Sequence, residues 1–153
     1  MNVLEFSYKR AEIVLDQRLA SEISEVLVGT CVTLLNKSSK DLRISIEDKL
    51  NVLGWSDKVS LQENSNITIT SINQEHGLCV QTGNFSRFYA DILKLEYLYK
   101  KDKIRGAFYI ILSKDAAKAM NLSNVVTFER LKRELQIFSD IITVPIKVYG
   151  LNI

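Results

Sequence analysis

Leu4, Phe6 and Tyr8 alternate with polar residues, the period-two pattern of a short strand. Residues 11–15 read as one or two helical turns. Asp16 is a plausible N-cap for a longer helix over 17 to about 35. Its apolar stripe is Leu19, Ile23, Val26, Leu27 and Leu34, one face at helical spacing. Cys31 falls inside that helix, where a buried thiol is expected. Residues 36–40 form a polar break. Ser45 with Asp48 has the spacing of a capping box for a helix to about Leu53, which Gly54 would stop. Trp55 reads as a core or rim anchor.

Strand signals then take over. Segments 58–61 and 66–72 are rich in β-branched residues, with Ile67 and Ile69 alternating with Thr68 and Thr70. Residues 73–77 form a turn, and 78–81 return as the second strand of a hairpin. Alternation puts Cys79 and Gln81 on one face, and Leu78 and Val80 on the other. Gly83 allows a sharp backbone path, and Asn84 or Ser86 can cap the next helix, to about Lys100. Phe85, Phe88, Tyr89, Ile92, Leu93 and Tyr97 give that helix a broad apolar face. Residues 105–112 are nearly continuously apolar, as expected of a strand covered on both faces. Residues 113–120 follow as helix or loop. Phe128, Leu131, Leu135 and Phe138 mark a helix over 127–138. A last strand over 141–149 contains Pro145, which favours a sheet edge for part of it. The order predicts an α/β (α+β mixed) fold, a central mixed sheet flanked by helices.

Composition narrows the class. The chain has 153 residues, 46% hydrophobic and 25% charged, enough for one domain with its own core. No apolar run is long enough to span a bilayer, and charge within the first ten residues argues against a signal peptide. Two cysteines far apart, Cys31 and Cys79, suggest free thiols in a reducing, cytoplasmic setting. A net charge of +2 permits nucleic-acid binding without arguing for it. Distribution says more, because Lys94, Lys100, Lys101, Lys103 and Arg105 interleave with Tyr97 and Tyr99. Such a run either tracks a phosphate backbone or forms a solvated helix end. His76 near Cys79 lacks the third, orienting residue of a nucleophilic pair. One histidine and two distant cysteines do not make a zinc site.

Four stretches then resemble a known family. They are Ala11-Glu12-Ile13-Val14-Leu15 with Leu19-Ala20-Ser21-Glu22-Ile23; Val80-Gln81-Thr82-Gly83-Asn84; residues 107–112; and Val144-Pro145-Ile146-Lys147-Val148-Tyr149-Gly150-Leu151. Together they resemble the BglII-type restriction endonucleases, with a more distant echo of BamHI, within the PD-(D/E)xK nuclease superfamily. The resemblance implies a restriction-endonuclease-like fold over 1–153, without that family's further C-terminal β-subdomain. It also implies two carboxylates converging on Mg²⁺, which lowers the pKa of the attacking water and stabilises the charge at phosphorus.

Carried onto this sequence, the family's Asp falls near Thr70, its Glu on Cys79, and its Gln on Gln81. A hydroxyl and a thiol cannot replace two anionic oxygens around Mg²⁺. Base contacts would match Asn84 and roughly Ser123 and Asn124. Phosphate contacts are expected from Lys100, Lys101, Lys103 and Arg105. The helices over 86–99 and 127–138 correspond to the family's two-fold dimer seam. The leading expectation is a catalytically degenerate member of this fold, with no cofactor, that binds double-stranded DNA or protein as a homodimer. One alternative is an active Mg²⁺-dependent endonuclease with acids relocated to Glu22, Glu25, Glu63 or Glu75. Another is a regulatory or inhibitory partner of an active nuclease.

Overall fold

The computed structural model describes residues 2–153; Met1, the first residue of the segment read above as not being a signal peptide, lies outside them. Five strands form the central sheet in the order β1 (Val3–Tyr8), β7 (Ile146–Leu151), β6 (Gly106–Leu112), β5 (His76–Gln81), β4 (Ser71–Asn73). The inner strands β5, β6 and β7 run parallel, and the outer strands β4 and β1 run antiparallel to their neighbours. The sheet is therefore mixed, as the apolar run over 105–112 and the hairpin signal imply. β6 lies in the middle and is buried along its whole length.

Helices cover both faces. On one side, α2 (Gln17–Cys31) and α3 (Ser39–Val52) pack Leu19, Ile23, Leu27, Leu42, Ile46 and Leu50 against Leu78, Val80, Phe108 and Ile110. On the other, α4 (Arg87–Lys100) and α6 (Phe128–Ile137) pack Phe88, Ile92, Leu95, Leu131 and Leu135 against Cys79, Tyr109, Ile111 and Val148. The two-residue side-chain period of β5 thus divides Leu78 and Val80 from Cys79, as alternation requires. Gly77 lets α4 approach: a Cβ there would meet Leu95 at 3.1 Å and Ile104 at 3.3 Å. Two short helices, α1 (Ala11–Val14) and α5 (Lys114–Ala119), fill the connections. No helix among the described residues is long and apolar enough to cross a membrane.

Local chemistry explains where the elements start, and four expectations need correction. Asp16 caps α2 as read, accepting from the backbone N–H of Arg18 and Leu19. That helix stops at Cys31, and a separate 3-10 turn, Leu34–Asn36, carries Leu34 into the core. α3 begins six residues before Ser45. Ser38 is its N-cap, accepting from Asp41 N at 3.1 Å, so the cap lies inside the polar break and Ser45 sits mid-helix. Segment 66–72 is two strands. β3 (Thr68–Ile69) pairs with β2 (Val59–Ser60) in a separate two-stranded sheet, and β4 begins after Thr70. Pro145 precedes β7, which is an inner strand. A proline just before the first strand residue removes no ladder donor, so it carries no edge preference.

Candidate functional site

β4 is short. It pairs with β5 only from His76 to Leu78, so the Cys79–Gln81 half of β5 is paired with β6 on one side and has no β4 residue opposite it on the other. A cleft of about 480 Å³ opens along that edge, between α3 and α4. Thr70, at the break between β3 and β4, reaches across with its hydroxyl, which accepts from Val80 N at 3.1 Å. Thr70 and Cys79 are therefore brought together, at the positions where the resemblance expects two acids.

Gln81 lies one step further along β5. Its Nε2 donates to Asp91 Oδ2 at 2.8 Å, and its Oε1 accepts from Gly83 N at 3.1 Å. Gly83 serves by its lack of a side chain, because a Cβ would stand 3.3 Å from Gln81 Oε1; its φ is not in the left-handed region. Thr82 fixes the same turn from the other side, donating to Ser39 O at the start of α3. Asp91, from the second turn of α4, also accepts from Tyr109 OH at 2.9 Å, and Lys94 Nζ stands 3.6 Å from its other oxygen. One carboxylate, 9% exposed, thus gathers an amide, a phenol and an ammonium. The phenol donates, as burial and then the Asp91 charge hold the Tyr109 pKa well above its usual value. Burial, with Asp91 second, likewise keeps the Cys79 thiol protonated.

Asp91 gave no sequence signal as a site residue. It sits on a helix face that the apolar pattern assigns to the core. The acids considered as relocated ligands are elsewhere. Glu63 and Glu75 are exposed, Glu75 pairing with Arg105 at 3.3 Å, and Glu22 pairs with Arg18. None of these three lines the cleft, nor does Glu25; Glu47, Asp57 and Asp91 do. His76 is structural. Its Nε2 accepts from Asp16 N at 3.1 Å, and its Nδ1 donates to Gln74 O at 2.7 Å. It belongs to the opposite face of β5 from Cys79, which excludes a nucleophilic pair.

The residues present do not fit Mg²⁺. A hard divalent ion needs several oxygens with free lone pairs. The Asp91 oxygens already face three donors, one of them cationic, and a protonated thiol is no ligand. Among the described residues, no group of three His, Cys, Asp or Glu is placed to hold a metal.

Asn84, Ser123 and Asn124 are all exposed, and they converge. Asn84 forms an isolated bridge with Val125, and Phe85 N donates to Asn124 O at 2.9 Å. Asn84 Oδ1 accepts from Ser86 N, while Ser86 itself makes no side-chain cap to α4. Lys100, Lys101, Lys103 and Arg105 are exposed but lie at the far end of α4. With about 1.5 Å of rise per residue, that is roughly 20 Å from Arg87 and the Asn84 turn. The cations near the turn are Arg43, Lys58, Arg87 and Lys94, which line the cleft.

Comparison with known proteins gives one family and one fold. The model of a family described as restriction endonuclease BglII/BglIII matches residues 3–151. Among solved structures, restriction endonuclease BglII complexed with a DNA 16-mer superposes with a TM-score of 0.84 at 16% identity. The alignment covers 100% of this chain and 79% of that one. Free BglII superposes with a TM-score of 0.74 at 19% identity, covering 100% and 80%. At those identities the likeness shows the fold. A search of curated proteins finds no match.

Proposed function

The chain belongs to the BglII/BglIII restriction endonuclease family, and from that premise we propose that it binds double-stranded DNA without cutting it. The family and fold support a DNA-directed, nuclease-type function, and a relative of the same fold was solved on a DNA 16-mer. The observation that carries the loss of cleavage is the Asp91 network. The carboxylate nearest the site strand is bound by Gln81, Tyr109 and Lys94, while the two strand positions hold Thr70 and Cys79. Asn84, Ser123 and Asn124 are the base-side contacts of this reading. The lysines beyond α4 would meet a duplex only if it ran the length of that helix.

A homodimer through α4 and α6 fits the same reading. An apolar furrow of about 210 Å³ runs between them, lined by Tyr89, Leu93, Phe138 and Ile141 among others. Leu93 and Ile141 are 63% and 66% exposed. Exposed apolar patches of this kind mark association surfaces. Light scattering is expected to give a dimer, and Leu93→Glu a monomer.

The deciding experiment pairs a gel shift in EDTA with a plasmid assay in Mg²⁺ or Mn²⁺. The expected result is a salt-sensitive shift and an intact plasmid. Specific, EDTA-sensitive cleavage that dies in Glu47→Gln and Asp91→Asn would overturn the reading in favour of relocated ligands.

A further inference from the structure

We propose that Arg130 is a positioning residue for the Asn84 turn: its guanidinium, laid on the Phe85 ring and oriented by Glu134, holds Asn84 and Asn124 at the spacing that sequence discrimination on duplex DNA needs. The inference rests on the DNA-binding reading above, in which Asn84, Ser123 and Asn124 face the bases. Those residues come from two separate stretches of chain, one entering α4 and the other entering α6. Little backbone bonding joins the two. There is an isolated bridge between Asn84 and Val125, and one bond from Phe85 N to Asn124 O at 2.9 Å. Bonds at so exposed an edge have a small net worth, since water competes for both partners. Something further must fix the turn.

A fifth cation, outside the cleft, stands over the turn itself. The central guanidinium carbon of Arg130 lies 4.8 Å from the centre of the Phe85 ring. Phe85 is half-buried and packs against the core beneath α4 and α6, which makes its ring a fixed platform. Arg130 Nε donates to Glu134 Oε1 at 3.1 Å, one turn further along α6, and the Glu134 side chain is only 12% exposed. The start of α6 is anchored as well, because Glu129 accepts from Lys114 N at 2.9 Å. A guanidinium suits this place because it is planar and forked. Its face stacks on an aromatic ring while its edge donates, and an ammonium has no such plane. The carboxylate beside it also makes Arg130 a poor partner for a phosphate, since its charge is already paired. Its neighbours on α6 do not share the role: Lys132 lies over Phe6 of β1, and Arg133 is exposed.

Measurements on the full chain in EDTA decide it. Selection from a random-sequence duplex library with the wild-type protein supplies its preferred site. Discrimination is then the ratio of affinities for that duplex and for a scrambled one. Arg130→Ala is expected to lower this ratio roughly tenfold with the salt slope of binding unchanged, and Arg130→Lys to restore part of it. Phe85→Leu leaves every charge in place and is expected to match Arg130→Ala. The double variant should be no worse than either single one, as for two groups acting through one contact. In the DNA-free protein, the Phe85 amide should exchange with solvent several-fold faster in Arg130→Ala, read by NMR. Circular dichroism checks that each variant stays folded. An unchanged Phe85 exchange rate, or losses that add in the double variant, overturns the proposal. So does a salt slope lower by about one, which would make Arg130 a phosphate contact instead. Discrimination kept in full by Arg130→Ala sinks the proposal and spares the DNA reading. A wild-type protein that shifts no duplex, or selects no sequence, sinks the base-side reading and the proposal with it.

Discussion

β5 and α4 share two ends with opposite characters. At the start of β5 the chain turns through Gln74 and Glu75, both with positive φ, and the side chains there are spread in solvent. Glu75 pairs with Arg105, both more than half exposed, and Lys100, Lys101 and Lys103 nearby are exposed and form no ion pair among the described residues, Lys101 lying over the Tyr97 ring. At the other end of β5 a single buried carboxylate holds an amide, a phenol and an ammonium. The first end carries the conspicuous charge, and the second carries the interactions that matter. An exposed pair exchanges water for a partner with little net gain. A buried acid with three donors has no water to return to, so removing it strands every partner.

That contrast can be broken in graded steps. Asp91→Ala is expected to cost about 3–5 kcal/mol in urea unfolding, because Gln81, Tyr109 and Lys94 all lose their acceptor. A loss under about 1 kcal/mol would place the network in solvent after all. Tyr109→Phe removes one donor and should cost about 1–2 kcal/mol at pH 7. It should also change the alkaline limb. The folded Tyr109 pKa is raised above the unfolded value near 10, so the folded state holds the proton longer. Wild-type stability therefore falls as pH rises past 10, and the variant should be flatter there by thermal melting. Glu47→Gln sharpens the same end more gently. The folded Glu47 pKa is raised above 4.5, so its ionised form weighs against folding at neutral pH. The variant should melt higher than wild type at pH 7, with the gain fading below pH 4.5. At the opposite end, Arg105→Ala should change stability by less than about 1 kcal/mol, and any effect should vanish in high salt.

Much of the scaffold was legible because it follows from periodicity. The strand β1, the stripe of α2, the buried run of β6 and the face of α6 each state their burial in their spacing. The errors have local causes. Ser45 and Asp48 satisfy a capping-box pattern, but Ser38 lies three residues before Asp41 and already does the work; two candidate caps in one polar stretch cannot be ranked by spacing. Residues 66–72 read as one strand because β-propensity continues through Thr70, where the backbone leaves one sheet for another. Of the site, Gln81 and the Asn84 turn could be read, since they sit in a glycine-punctuated strand–turn–helix. Asp91 and Arg130 could not. One hides among apolar neighbours on a core helix, and the other looks like any charge on a solvated helix face until the Phe85 ring beneath it is seen.

The pairing of β1 with β7 sets the order in which the molecule can assemble. The two strands meet along six registered pairs, from Val3 with Leu151 to Tyr8 with Ile146. Asn2 and Asn152, 150 positions apart, close the seam by a side-chain bond of 2.8 Å. On a ribosome, β1 emerges before β7 and waits, its ladder groups unpaired, until β7 is made. Its alternating Leu4, Phe6 and Tyr8 are therefore on a templating edge until β7 pairs with it. Slow closure of so long a loop predicts late pairing of β1 with β7.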